Sequence, residues 1–155
     1  MAIVTLNEKE KAAMKDLQTQ EEMCIKKYQK YKNEAKDPEL KTLFSKIEEC
    51  EKQHYATLDQ ILAGTVPEVN VNDKRGKEYA PKAHYNNLSE PEDKKNDCYL
   101  ATDCIGNEKL ISGEYNSDIF VCSQPEVRNA LADIQVEEQN HAEMLYKYKT
   151  VNGMQ

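Results

Sequence analysis

The chain has 155 residues and a formal net charge of −7, with 32% charged and 39% hydrophobic residues. This length suits one domain with a sizeable core, so we expect residues 1–155 to form a single domain. The acidic charge argues against a nucleic-acid partner, and no apolar run approaches the ~20 residues that span a membrane.

The N-terminal sequence MAIVTLNEKEK lacks the apolar segment of a secretory signal peptide. The five cysteines are an odd number and include no C-x-x-C pair, which argues against a zinc knuckle and against a disulfide framework. We therefore expect a cytoplasmic protein.

The first hairpin is predicted over residues 8–63. Apolar residues spaced three and four apart indicate a helix over residues 8–35, and Glu21 interrupts this apolar stripe. A second helix is predicted to begin with Asp37 as N-cap and Pro38 at the first helical position. Its apolar stripe is interrupted in turn by two polar residues, Glu51 and His54.

Residues 64–90 are polar and are predicted to form one long irregular connection. If two hairpins are related by a twofold axis, the chain must return along the helices before the second hairpin begins. Long crossover connections of this kind occur in four-helix bundles. His84 lies in this crossover, has no counterpart in the repeat described below, and is expected at the surface.

The second hairpin is predicted over residues 91–150. The segment Ser89–Glu92 has the pattern of a capping box opening a third helix, and Pro125 lies at the start of a fourth. Polar residues again interrupt the apolar stripes of these two helices: Glu108 in the third, and Glu138 and His141 in the fourth.

The two hairpins repeat at an offset of 87 residues, with nine identities in the 43 pairs from 16/103 to 58/145. Chance would give about two or three at ordinary residue usage. Each copy contains a glutamate and, thirty positions later, the sequence Glu-x-x-His, so Glu21, Glu51 and His54 recur later in the chain. The predicted fold is therefore all-α: a four-helix bundle of two duplicated helical hairpins with a long crossover.

Residue counting places the polar groups at one height. Glu21 lies sixteen residues before the turn near Asp37, and Glu51 and His54 lie fourteen and seventeen after it. At 1.5 Å per helical residue, all three lie roughly 24 Å from that turn. The same count applies to the second hairpin, so packing the two stripes together gathers all six groups in one layer.

Six such groups in a core indicate two divalent metal ions, because four carboxylates balance four positive charges while the imidazoles stay neutral. We expect Glu21 and Glu108 as terminal ligands, Glu51 and Glu138 as bridges, and one histidine on each metal. Iron is the first choice of metal, with manganese or zinc as alternatives. The metal-free alternative requires raised carboxylate pKa values or a water-filled channel.

Two further pairs of residues accompany the candidate ligands in the repeat. Tyr28 and Tyr115 lie seven residues along the helices from the terminal glutamates. They are interpreted as core residues that hydrogen-bond through their hydroxyls, with redox activity as the alternative. Asp16 and Asp103 are candidate partners for the histidine N–H groups.

This order of ligands resembles the ferritin-like superfamily, whose dimetal members carry Glu, Glu-x-x-His, Glu, Glu-x-x-His on four helices. The stretches KDLQTQEEMCIKKYQKYKNEAKDPELKTLF and EKQHYATLDQIL resemble the spore coat protein F (Coat F) family. That resemblance implies a ferritin-like bundle from a spore-forming bacterium, located in the mother-cell cytoplasm or the spore coat. Coat proteins are then candidate partners, and a homodimer is expected.

The ligand pattern is also similar to the erythrin domain of rubrerythrin, which reduces peroxide at a di-iron centre. This sequence departs from rubrerythrin because it has no C-x-x-C pair and no additional glutamate one turn from Glu108 on the same face; Glu114 points elsewhere.

Three functions are compatible with the pattern. The first is a di-iron oxidoreductase, a ferroxidase or peroxide-reducing protein, whose metals react with oxygen or peroxide. The second is a structural spore-coat component whose metal site is vestigial or purely structural. A disproportionating di-manganese enzyme is the third.

Overall fold

The structure is a computed structural model that describes residues 1–69, 73–86 and 88–155. It is predominantly helical, as the sequence predicts, with one pair of very short strands. In chain order the elements are β1 Ala2–Ile3, α1 Glu8–Glu34, α2 Pro38–Leu62, β2 Thr65–Val66, α3 Arg75–Glu78, α4 Glu92–Ile119 and α5 Pro125–Val151. None of the helices in the described ranges is both long and apolar enough to cross a membrane.

Local capping signals set the start of α2, as predicted. Asp37 is the N-cap, its side chain accepts a hydrogen bond from the Glu39 N–H (3.0 Å), and Pro38 occupies the first turn. The start of α1, which the sequence analysis left without a cap, is closed by a capping box between Asn7 and Glu10.

The predicted capping box before α4 is wrong. The helix begins after Pro91, without a side-chain capping bond. The Ser89 hydroxyl instead donates to Asn86 Oδ1 (3.1 Å). Buried Lys94 donates to the carbonyl oxygens of both Ser89 (3.1 Å) and Asn86 (2.8 Å). These hydrogen bonds are formed in place of the predicted capping box.

The four long helices form two hairpins. Residues 35–37 join α1 to α2, and residues 120–124 join α4 to α5. Connections this short make each pair antiparallel neighbours. We call α1–α2 hairpin one and α4–α5 hairpin two. Across the two hairpins α1 contacts α4 and α2 contacts α5.

The apolar core consists of two clusters at different heights along the helices. One includes Met14, Leu17, Leu58, Ile111 and Leu131. The other includes Phe44, Ile47, Leu100, Ala101 and Leu145. In sequence, the candidate ligands on α2, α4 and α5 fall between the members of the two clusters. On α1, Glu21 lies between Leu17 and Cys24 of the first cluster, and Tyr28 of the second cluster follows. The six candidate ligands therefore form a polar layer with an apolar cluster on each side.

The crossover returns along the helices, but it is more ordered than predicted. β2 pairs antiparallel with β1, and α3 packs against α5. The Gly76 N–H donates to Asn140 Oδ1 (3.0 Å), and Lys147 Nζ donates to the Gly76 carbonyl (2.6 Å). Further on, the His84 N–H donates to Asn152 Oδ1 (2.8 Å). The connection therefore follows α5 towards its C-terminus.

His84 lies at the surface, as predicted, but it has a partner there. Its side chain is 46% exposed, and Nδ1 lies 2.6 Å from Asp37 Oδ1. This contact raises the pKa of His84 above its usual value, through hydrogen bonding and the negative charge of Asp37. The Tyr148 hydroxyl donates to the other Asp37 oxygen (2.7 Å). Asp37 thus joins the crossover and α5 to the turn of hairpin one.

Candidate metal centre

The structure brings all six predicted ligands together in the buried polar layer; each is at most 2% exposed. Their donor atoms form two groups, within each of which all donor atoms lie within 4.8 Å of one another. One group contains Glu21, Glu51, His54 and Glu138, and the other contains Glu51, Glu108, Glu138 and His141. The two groups share two carboxylates, which is the arrangement that bridging ligands require.

Both histidines turn the same ring nitrogen towards the carboxylates. His54 Nδ1 lies 2.8 Å from Glu138 Oε1 and 3.7 Å from Glu21 Oε1. His141 Nδ1 lies 3.0 Å from Glu51 Oε1 and 3.5 Å from Glu108 Oε1. Each imidazole therefore lies closer to the predicted bridging glutamate of the other hairpin than to either glutamate of its own hairpin.

Hydrogen bonding within the protein leaves most of this layer unsatisfied. In the described ranges, ten buried side-chain nitrogen and oxygen atoms lack a hydrogen-bond partner, and all but Gln124 Oε1 belong to the six residues. Buried polar atoms are almost always paired, because an unpaired one loses its hydration without compensation. Carboxylate and imidazole donors that converge without partners fit divalent cations, so the residues present suit the predicted metals.

Glu137 holds the outer nitrogen of His54. His54 Nε2 donates to Glu137 Oε1 (3.0 Å), which leaves Nδ1 facing the carboxylates, where a metal would bind once the Nδ1 proton is displaced. Arg75 of α3 donates to Glu137 Oε2 (2.5 Å) and is itself paired with Asp73 (2.8 Å). Burial raises the pKa of Glu137, but the hydrogen bond and charge of His54 and the charge of Arg75 lower it overall.

The sequence analysis missed this role of Glu137, and its candidate partners for the histidines are wrong. Asp103 instead accepts hydrogen bonds from Tyr31 (2.6 Å) and Lys27 (3.0 Å) near the surface. Asp16 is exposed and makes no described hydrogen bond to either histidine. The overlooked signal was the run Glu137-Glu138, in which only the second carboxylate falls on the apolar stripe.

Cys50 occupies the position in hairpin one that Glu137 occupies in hairpin two. It is buried, and its Sγ lies 3.5 Å from His54 Nε2. Burial would raise the pKa of the Cys50 thiol, but the neighbouring imidazoles of His141 and His54 lower it to about 6. The repeat thus places a thiol and a carboxylate at equivalent positions around the two histidines.

Two tyrosines join the hairpins at the level of the carboxylates. The Tyr28 hydroxyl donates to Glu108 Oε1 (2.6 Å), and the Tyr115 hydroxyl donates to Glu21 Oε1 (2.7 Å). Each tyrosine is fully buried and reaches the terminal glutamate of the opposite hairpin. The hydrogen-bonding interpretation of these residues is confirmed, and each bond positions one carboxylate oxygen.

Protons neutralise part of the layer in the metal-free protein. Burial and the charge of Glu138 raise the pKa values of Glu51 and Glu108 well above the usual range. Burial would lower the pKa values of both histidines. For His54, hydrogen bonds with Cys50 and Glu137 reverse the shift. For His141, the charge of Glu108 and the neighbouring Cys50 thiol do so. A cation that enters must therefore displace protons.

Comparison with known proteins gives one match. Residues 96–154 match the sequence model of the Coat F domain. The match covers less than half of the chain and lies in hairpin two, including Glu108, Glu138 and His141. The stretches that resemble Coat F in the sequence analysis lie in hairpin one, and the internal duplication relates the two regions. No curated protein and no solved structure matched the chain.

Proposed function

We propose that the chain is a ferritin-like dimetal-carboxylate protein of the Coat F type that binds two iron ions, or manganese, and reacts with oxygen or peroxide. The observation that carries the proposal is the set of unpaired buried atoms, nearly all on six residues at one level of the core. The Coat F domain match over residues 96–154 supports an association with the spore coat.

Each residue of the layer has a distinct role in this proposal. Glu21 and His54 would bind one metal, and Glu108 and His141 the other, while Glu51 and Glu138 would bridge both. No thiolate is among these six residues, and mixed carboxylate and imidazole donors suit iron or manganese, with zinc as a competitor.

The surrounding residues prepare the layer for metal. Glu137 keeps the proton of His54 on Nε2, so that Nδ1 offers its lone pair inward. Tyr28 and Tyr115 each hold one oxygen of a terminal carboxylate and leave the other oxygen unpaired. The apolar clusters on both sides exclude bulk water. When bound, two iron ions would supply redox chemistry and positions for an oxygen ligand.

The test is anaerobic reconstitution of the purified protein with Fe(II). We expect about two irons per chain, and ferrous oxidation or peroxide consumption when the oxidant is added. Glu51→Ala combined with Glu138→Ala should abolish both metal binding and activity. Glu49→Ala combined with Glu143→Ala is the matched control, because these exposed glutamates lie on the same two helices. A wild-type protein that holds no iron would contradict the proposal.

A structural coat component is the second candidate, and the Coat F match favours it specifically. In that function the metal only neutralises the buried carboxylates. It predicts self-association by sedimentation velocity and assembly that does not depend on redox state. Iron-loaded protein that turns over peroxide but is absent from the isolated coat would contradict it.

A further inference from the structure

We propose that a small oxygen-containing oxidant reaches the metal centre through a cavity between α4 and α5, and so meets the half of the centre held by Glu108 and His141. The inference rests on the proposed metal centre and adds to it a binding site, a class of ligand and a difference between the two metals.

The cavity has a volume of about 370 Å³. Two of the six candidate ligands line it, Glu108 and Glu138, together with Lys109, Ser112, Gln139 and Ala142. One water molecule takes up about 30 Å³ of liquid volume, so a peroxide or dioxygen molecule fits with room for water. The cavity therefore leads from the surface of hairpin two towards one terminal and one bridging carboxylate.

The duplication supplies an internal comparison. Ser112 and Ala142 lie one helical turn after Glu108 and Glu138. At the equivalent positions, 87 residues earlier, hairpin one has Ile25 and Tyr55. Two small side chains in hairpin two thus replace two large, half-buried ones in hairpin one. Close packing makes a difference of this size decisive for the passage of a small molecule.

The polar groups at the cavity suit an oxygen ligand better than a cation. The Ser112 hydroxyl, the Gln139 amide and the Lys109 ammonium are all hydrogen-bond donors. Lys109 lies at the position that Glu22 occupies in hairpin one, so the side chain that lines the cavity here has the opposite charge to its counterpart. A divalent cation that entered here would be repelled by Lys109, whereas peroxide or dioxygen would not.

The two imidazoles also differ in how firmly neighbouring residues hold them. His54 is held through Nε2 by Glu137, which Arg75 holds in turn. His141 Nε2 has no hydrogen-bond partner among the residues that the structure describes. The half of the centre next to the cavity is therefore the less constrained half, and it can adjust when an exogenous ligand binds.

The experiment uses nitric oxide, a neutral diatomic probe, mixed anaerobically with Fe(II)-loaded protein and followed by stopped-flow absorbance. Ser112→Ile combined with Ala142→Tyr gives hairpin two the side chains of hairpin one. We expect nitric oxide to bind at least about tenfold more slowly, which corresponds to about 1.4 kcal/mol in the barrier. Iron content and helical circular dichroism should match wild type.

The reciprocal variant, Ile25→Ser combined with Tyr55→Ala, should open hairpin one and add a second rapidly reacting iron. Unchanged nitric oxide kinetics in an iron-loaded closing variant would overturn the inference and leave the metal centre standing. Wild-type protein without iron would overturn both. If the closing variant does not fold, Ser112→Val replaces it, and the same slowing is required.

Discussion

Glu51 and Glu138 lie on α2 and α5, and each belongs to both groups of candidate ligands. Among the residues that the structure describes, no oxygen of either carboxylate has a hydrogen-bond partner. An unpaired buried carboxylate costs several kcal/mol, and burial together with the charge of Glu138 raises the pKa of Glu51. At the scale of single residues, the metal-free layer therefore destabilises the fold that contains it.

Glu51→Gln should stabilise the metal-free protein while abolishing the binding of two metals. Burial forces the Glu51 carboxyl to take up a proton on folding, whereas the amide is neutral without one, so we expect the free energy of unfolding to rise by about 1–3 kcal/mol at neutral pH. Urea denaturation with a chelator, together with elemental analysis, measures both effects. Exposed Glu49→Gln should change neither. A loss of stability in Glu51→Gln would mean that this carboxylate supports the metal-free fold.

Metal affinity should fall as the pH is lowered. His54, His141, Glu51 and Glu108 have raised pKa values in the metal-free protein, so they hold protons that a cation must displace. Each displaced proton weakens binding about tenfold per pH unit below that group's pKa. Co(II) titrations over a range of pH, with calorimetry in two buffers, count the protons released. An affinity independent of pH would show that the layer is not protonated.

At the scale of elements, α3 of the crossover packs against α5 and supports hairpin two. α3 is a single turn, yet its residues reach both Glu137, which holds His54, and Asn140 on the next turn of α5. The described part of the crossover therefore contacts the polar layer through Glu137 and Asn140, and none of the six candidate ligands lies in it.

Arg75→Ala should weaken metal binding without unfolding the helices. Loss of this contact frees Glu137, which then orients His54 less firmly, and outer contacts of this kind change metal affinity about 10–100-fold. Competition with a chromophoric chelator measures the dissociation constant. Lys74→Ala, at the neighbouring exposed position, is the control and should bind like wild type. Equal metal affinities for the two variants would show that the contact between Arg75 and Glu137 does not support the candidate metal site.

Gly76→Ala should destabilise the protein by about 0.5–1.5 kcal/mol, because its Cβ would displace the Asn140 side-chain oxygen, which accepts a hydrogen bond from the Gly76 N–H, while the exposed Glu143 carboxylate can move aside. Gly106→Ala and Gly113→Ala are matched controls in α4, where an added Cβ meets nothing within 4 Å. Each control should stabilise by about 0.5–1 kcal/mol, since alanine restricts the unfolded chain and favours helix. Urea denaturation of the three variants separates crowding from helix propensity.

At the scale of the whole molecule, the polar layer of candidate ligands joins two copies of one hairpin. Each shared carboxylate comes from a different hairpin, and Tyr28 and Tyr115 cross between the hairpins in opposite directions. Contacts between the hairpins would then depend on metal more than contacts within each hairpin do.

Chelation should therefore lower the melting temperature of metal-loaded wild-type protein. A ligand that binds only the folded state stabilises it by about 2.7 kcal/mol at a hundred times its dissociation constant. Differential scanning calorimetry with and without chelator measures the shift. The variant carrying Glu51→Ala and Glu138→Ala should show none. An equal shift in that variant would place the metal elsewhere on the chain.

The amino-acid sequence by itself determined the helical class, the Asp37 cap and the buried level of the six polar residues. These follow from helical periodicity, from local capping and from a repeat offset, all of which are read along one chain. Their assignment as metal ligands stays a prediction.

Only the tertiary structure decided which segments meet. The β1–β2 pair, the hydrogen bond from His54 to Glu137 and the cavity over Ala142 each depend on contacts between residues far apart in sequence. The predicted capping box at Ser89 failed for a more local reason, because Asn86 and the buried Lys94 make the hydrogen bonds of that segment instead. A duplicated sequence predicts equivalent hairpins, and the substitutions between the two copies make them unequal where long-range contacts bring the substituted residues to the polar layer.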